Sequence, residues 1–195
     1  PDIVLSTSLA EVTQWSADLV AFFLPSPYHT LWGGLVALIY ARFTGNIFEQ
    51  TVYIGYVVLA LALVALVKVR QQETRCWALC ALIFFGLALG PFLHINGKDL
   101  FSLGDATFYI SLPYLLFGFI PVLKRARIPS RFDVMLMLSL AVLVAYGLRY
   151  LLDRFDSKWR GLWASAAFLT VIGVVILLEF VSVPLRMLDA RIPKI

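Results

Sequence analysis

The stretch KRARIPSRF, Lys124 to Phe132, sets four cations and a proline between two apolar runs. Guanidinium forks grip phosphate oxygens two at a time, so Arg127 and Arg131, which flank Pro129, with Lys124 and Arg125 beside them, form a candidate phosphate site. A helix opening near Ser130 would add a favourable dipole for an anion. The same cluster could equally be a cytoplasmic stop signal, with Arg131 paired to Asp133 or snorkelling to lipid headgroups. Two further side chains are candidates for a polar site. His94 could exchange a proton near neutral pH, against the alternative of an interfacial imidazole bonded to a nearby carbonyl. Glu49 could orient an acceptor hydroxyl or a metal, against the alternative of a solvated loop carboxylate. Cys76 and Cys80 lie four apart on one predicted helix face and read as small packing residues rather than as a metal or disulfide pair. His29 has no partner nearby in sequence, and Glu179 needs only a cap or a snorkelling role.

These residues must be positioned by elements suited to lipid. Of the 195 residues, 61% are hydrophobic and 14% charged, with a mean hydropathy of +0.88, more apolar surface than one globular core could hide. Charge-free stretches run 51–67, 76–93, 106–123, 134–148 and 161–178. Each approaches the roughly 20 residues that a tilted helix needs to cross about 30 Å of hydrocarbon. The expected fold is all-α, a polytopic membrane helical bundle of four spans plus one broken, re-entrant or interfacial segment. That segment is 106–123, where Pro113 and Pro121 remove backbone donors that hydrocarbon cannot replace. Residues 1–50 read as an extracytoplasmic loop and interfacial helix region, with an apolar piece from Tyr28 to Tyr40 too short to cross. Residues 51–182 read as the transmembrane helical domain, and 183–195 as an extracytoplasmic exit segment. Gly86 and Gly90 form a G-x-x-x-G pattern that would let a neighbouring helix approach. Ser130 followed three residues later by Asp133 reads as a helix cap. The polar, glycine-rich run 90–105 must lie outside the hydrocarbon.

Net charge is +4, spread through short loops beside apolar spans, which points to membrane lipid as a partner and away from nucleic acid. Placing the turn at 70–75 in the cytoplasm, a crossing 106–123 leaves 10 Lys and Arg inside and 6 outside; a non-crossing one leaves 7 inside and 9 outside. The positive-inside rule favours the first arrangement and the two prolines the second, in which the basic cluster faces outward and asks for an anionic partner.

E-Q-T-V-Y-I-G-Y at 49–56, G-P-F-L-H-I-N-G at 90–97, S-L-P-Y at 111–114 and R-I-P-S-R-F at 127–132 resemble the carboxy-terminal half of the bacterial multi-spanning proteins grouped with GT-C glycosyltransferases. The resemblance implies a multi-pass protein of the cell membrane, a polyprenyl-phosphate-linked sugar donor, and a catalytic acid on an early loop to which nothing here can be matched. On that reading the chain is a fragment, inactive alone, in which Arg127, Arg131, Lys124 and Arg125 hold the lipid phosphate and 106–123 lies along the carrier's tail. The alternative is a non-enzymatic integral membrane subunit packed among other membrane subunits in a larger complex. No residue pattern names a cofactor.

Overall fold

The computed structural model describes residues 9, 11–104, 106–120, 128–156 and 162–183. Among the described residues the architecture is carried by α1 (Gly33–Tyr40), α2 (Tyr56–Lys68), α3 (Gln72–Ala88), α4 (Asp133–Asp156) and α5 (Leu162–Phe180). Among the same residues, two helices are long and apolar enough to cross a membrane, Pro129–Arg154 and Trp163–Phe180. At 1.5 Å per residue, α4 spans about 36 Å and α5 about 28 Å, whereas α2, with 13 residues, reaches only about 20 Å. The charge-free stretch 51–67 is therefore not one helix. Its first five residues take no regular structure, Val52, Tyr53 and Ile54 are buried, and Gly55 at φ 93° precedes the start of α2.

The helices share one polar end. The Tyr56 hydroxyl at the start of α2 donates to the Phe23 carbonyl at 2.7 Å, and the Phe22 ring meets Phe85 near the end of α3 at 4.8 Å. Phe132, just before α4, stacks on Phe84, and Glu179 at the end of α5 accepts from the Tyr56 amide at 3.2 Å. The start of α2, the end of α3, the start of α4 and the end of α5 thus converge, and residues from 11–50 cover them. Ala17, Ala21 and Phe22 from that cover join Leu136, Leu140 and Leu143 of α4 and Ala62 and Ala65 of α2 in one buried cluster.

The described residues are mostly helical, with one two-stranded antiparallel sheet. Residues 91–93 pair antiparallel with 110–112, the Leu93 amide donating to Ile110 at 3.0 Å and the Leu112 amide to Pro91 at 2.9 Å. Beyond them, β1 (Leu100–Leu103) pairs antiparallel with β2 (Ala106–Tyr109) in the register Leu100 to Tyr109. Asn96 at φ 53° and Gly97 at φ 79° form the left-handed pair that turns a tight hairpin, closed by reciprocal bonds between Ile95 and Lys98. The described part of 106–123 is β2 followed by a 3-10 helix at Pro113–Phe119. Seven residues at about 2.0 Å each rise about 14 Å, far short of a bilayer.

Two local expectations are corrected. Gly86 faces open space and Gly90, at φ 80°, lies past the end of α3 against Ser16, so the G-x-x-x-G pair brings no helices together. The close approach occurs at Gly147 of α4, where an added Cβ would meet the Leu61 carbonyl group of α2, its carbon at 3.1 Å. Gly147→Leu is expected to cost about 2–3 kcal/mol by forcing α2 and α4 apart. Gly173→Leu, where the Cβ has no neighbour within 4 Å, should be near neutral. Denaturant titration in mixed micelles reads the difference; equal losses at both positions would rule out the close packing.

Candidate functional site

At the polar end the sequence positions a carboxylate, a hydroxyl and a guanidinium around the entry to α4. Pro129 starts a 3-10 turn, Pro129–Phe132, and α4 follows from Asp133. Ser130 is consequently not the helix cap that its spacing from Asp133 predicts. Its amide donates to the Trp15 carbonyl at 3.3 Å, and its hydroxyl donates to Glu49 Oε2 in a short hydrogen bond. Glu49 is half-buried in the first turn of a 3-10 helix, Ile47–Gln50, and is therefore not a freely solvated loop carboxylate. Its bond to Ser130 ties residues 81 positions apart and fixes the turn carrying Arg131, which is exposed. Asp133 Oδ1 is buried with no hydrogen-bond partner among the described residues, so no Arg131–Asp133 pair forms through that oxygen. Lys124, Arg125 and Arg127 lie outside the described residues, as does the exit segment from 184 onward.

His94 is only 4% exposed, and its Nδ1 is buried with no partner among the described residues. Through that nitrogen it makes none of the carbonyl bonding expected of an interfacial histidine. Its backbone is held instead, the His94 carbonyl accepting the Leu19 amide at 2.9 Å. The structure thus brings Glu49 to the residue beside Arg131 and sets His94 in the adjoining loop core.

Sequence reasoning missed the residue that organises this end. Asp18 is 1% exposed, and its carboxylate accepts three backbone amides: Val20 at 2.8 Å and Asn96 at 3.0 Å through Oδ1, and Gly97 at 2.7 Å through Oδ2. Charge-assisted bonds of this kind are short and strong. Gln50 completes the knot. Its Oε1 accepts the Asp18 amide at 2.7 Å, and its Nε2 donates to the Ser16 and Thr44 carbonyls at 2.9 and 3.1 Å. Burial, with the Asp18 carboxylate adding to it, pushes the Tyr40 hydroxyl up, which keeps it a donor to the Leu24 carbonyl at 3.3 Å. The signal available in the sequence was a single carboxylate set directly between Ala17 and Leu19, where burial demands partners.

His29 likewise has partners that its sequence neighbourhood only half reveals. Nδ1 accepts the Leu31 amide at 3.1 Å and the Trp32 amide at 3.3 Å, and Nε2 lies 3.0 Å from the Leu178 carbonyl of α5. Those partners assign the neutral tautomer with the proton on Nε2. Glu179 caps α2, accepting the Tyr56 and Val57 amides at 3.2 to 3.3 Å. Cys76 and Cys80 are free, and among the described residues no group of three metal-ligating side chains forms.

Compared with known proteins, the chain matches no family model, no curated protein and no solved structure. Its functional reading therefore rests on the geometry above and on the motif resemblance.

Proposed function

We propose that the chain is part of a GT-C-like glycosyltransferase of the cell membrane, multi-pass, that takes sugar from a polyprenyl-phosphate carrier, and that this part shapes the lipid-phosphate site. One observation carries the reading: the Glu49–Ser130 bond fixes the turn before α4 so that Arg131 stands exposed at the end where four helix termini converge. An outward guanidinium beside a helix start suits a phosphate ester with its tail in the bilayer. The apolar side chains of Leu116, Phe119 and Ile120, all exposed, offer that tail a surface at the 3-10 helix whose Tyr114 and Phe117 rings meet Phe132. The chain would then cross four times, with 106–123 returning without crossing and Lys124, Arg125 and Arg127 joining Arg131 on the outer face. Glu49 meets Ser130 through Oε2, which leaves Oε1 to orient a hydroxyl. No catalytic acid is assigned here.

Purified protein in nanodiscs with a radiolabelled polyprenyl phosphate tests this. Arg131→Ala should weaken carrier binding roughly tenfold, about 1.4 kcal/mol, and Arg131→Lys should recover only part, because a point charge replaces a two-pronged donor. Unchanged binding in Arg131→Ala would sink the assignment.

A specific observation favours a second reading, that of a non-enzymatic membrane subunit. In Trp163–Phe180 no residue is fully buried within the chain, which leaves the exposed side of α5 to face lipid or another subunit. A partner recovered by crosslinking along α5, with no carrier binding at Arg131, would favour it.

A further inference from the structure

A cavity of about 380 Å³ opens at the polar end between α1, the run before α2 and the last turn of α5. It is separate from the turn carrying Arg131, and its chemistry is opposite in sign. The rings of Trp32, Tyr53 and Tyr56 line it together with His29 and the Glu179 carboxylate, and among the described residues no Lys or Arg is in its walls. His29 is fixed by the two amides on Nδ1 and the carbonyl facing Nε2. Glu179 accepts the amides at the start of α2, and among the described residues its Oε2 accepts only the Val57 amide, at 3.2 Å, which leaves room for a further donor. The rings are fixed as well. Tyr53 packs edge-on to Tyr56 at 5.4 Å, and the Tyr56 hydroxyl is committed to the Phe23 carbonyl.

Aromatic faces around a single carboxylate attract a cation, by the ring quadrupole and by charge. An anionic ligand would meet Glu179 with no cation among the described lining residues to offset it. The volume exceeds what a bare ammonium ion fills and falls in the range of small-molecule pockets. Beside it, Leu31, Leu35 and Leu38 of α1 and the run before it are exposed, an apolar strip that acyl chains would cover next to Trp32.

We infer that this cavity binds the primary ammonium headgroup of an aminophospholipid, the ammonium donating to Glu179 Oε2 between the rings of Trp32, Tyr53 and Tyr56. The headgroup phosphate lies toward the opening, away from Glu179. The inference does not depend on the transferase reading. It also runs against bulk electrostatics, since a chain of net charge +4 would otherwise prefer anionic lipid.

The test is native mass spectrometry of the detergent-purified chain titrated separately with phosphatidylethanolamine, phosphatidylglycerol and free ethanolamine. The expected result is phosphatidylethanolamine retained over phosphatidylglycerol, with Trp32→Ala and Glu179→Gln each lowering retention roughly tenfold. Leu82→Ala, exposed on α3 and outside both the cavity wall and the apolar strip, should leave it unchanged. Glu179→Gln also disturbs the cap of α2, so if that variant does not fold, Trp32→Ala decides, its ring being half exposed. Equal retention of the two lipids, or a Trp32→Ala variant that binds like the parent, would overturn the inference. Displacement by free ethanolamine at the lipid's own concentration would overturn the lipid as the ligand.

Discussion

Asp18→Ala is expected to lower the unfolding free energy by about 3–5 kcal/mol, since it removes one buried carboxylate and strands three amides at once. The Val20 amide begins the 3-10 helix Leu19–Phe23, whereas the Asn96 and Gly97 amides sit in a hairpin some 80 residues away. One side chain therefore joins the cover of the bundle to the loop following α3. Asp18→Asn retains one acceptor but turns an amide group toward a neighbouring N–H, and should lose about 2 kcal/mol. Reversible unfolding by denaturing detergent in mixed micelles would measure both. A loss below about 1 kcal/mol for the alanine variant would show that water replaces the carboxylate, and the clamp would have no energetic meaning.

Gly97→Ala should cost about 2–3 kcal/mol for two reasons acting together. The residue holds φ 79°, and a Cβ there would collide with the Arg42 carbonyl group, whose carbon lies 2.8 Å from the ideal Cβ position. Gly104→Ala separates the terms, because that residue has φ 64° but no atom within 4 Å. It should lose only the backbone share, about 1 kcal/mol. Gly97 also donates to Asp18, so the double variant with Asp18→Ala should lose less than the sum of the two single losses. Strict additivity would mean that the hairpin and the carboxylate are independent.

The apolar scaffold was legible in the sequence because charge-free runs of helical length have few other solutions in lipid, and α4 and α5 follow from that alone. The stretch 51–67 misled for a physical reason. It carries no charge, but Gly55 takes a conformation that other residues rarely adopt, and the piece before it buries Ile54 beside Phe22 and Tyr53 beside Tyr56 and Phe180. The prolines of 106–123 gave no sign of the strand pairing of 106–109, which depends on contacts with 100–103. Glu49 and Arg131 were found by residue type and proximity to apolar runs. Their relation through Ser130 was not, since no local pattern links positions 81 apart, and the same holds for Asp18 with Gly97.

The late start of α2 has a consequence for the surface that the protein would present to a bilayer. Beside α4, about 36 Å long, the roughly 20 Å of α2 leaves a step of more than 10 Å on one flank. Helices of unequal apolar length draw polar headgroups and water inward where the shorter one ends, at a fraction of a kcal/mol per Å. The Asp18 knot, the Glu49–Ser130 bond and the aromatic cavity would then sit in a basin sunk below the mean headgroup plane. A lipid phosphate could reach them while its tail stayed at its ordinary depth, sparing the carrier the work of being lifted out of the membrane.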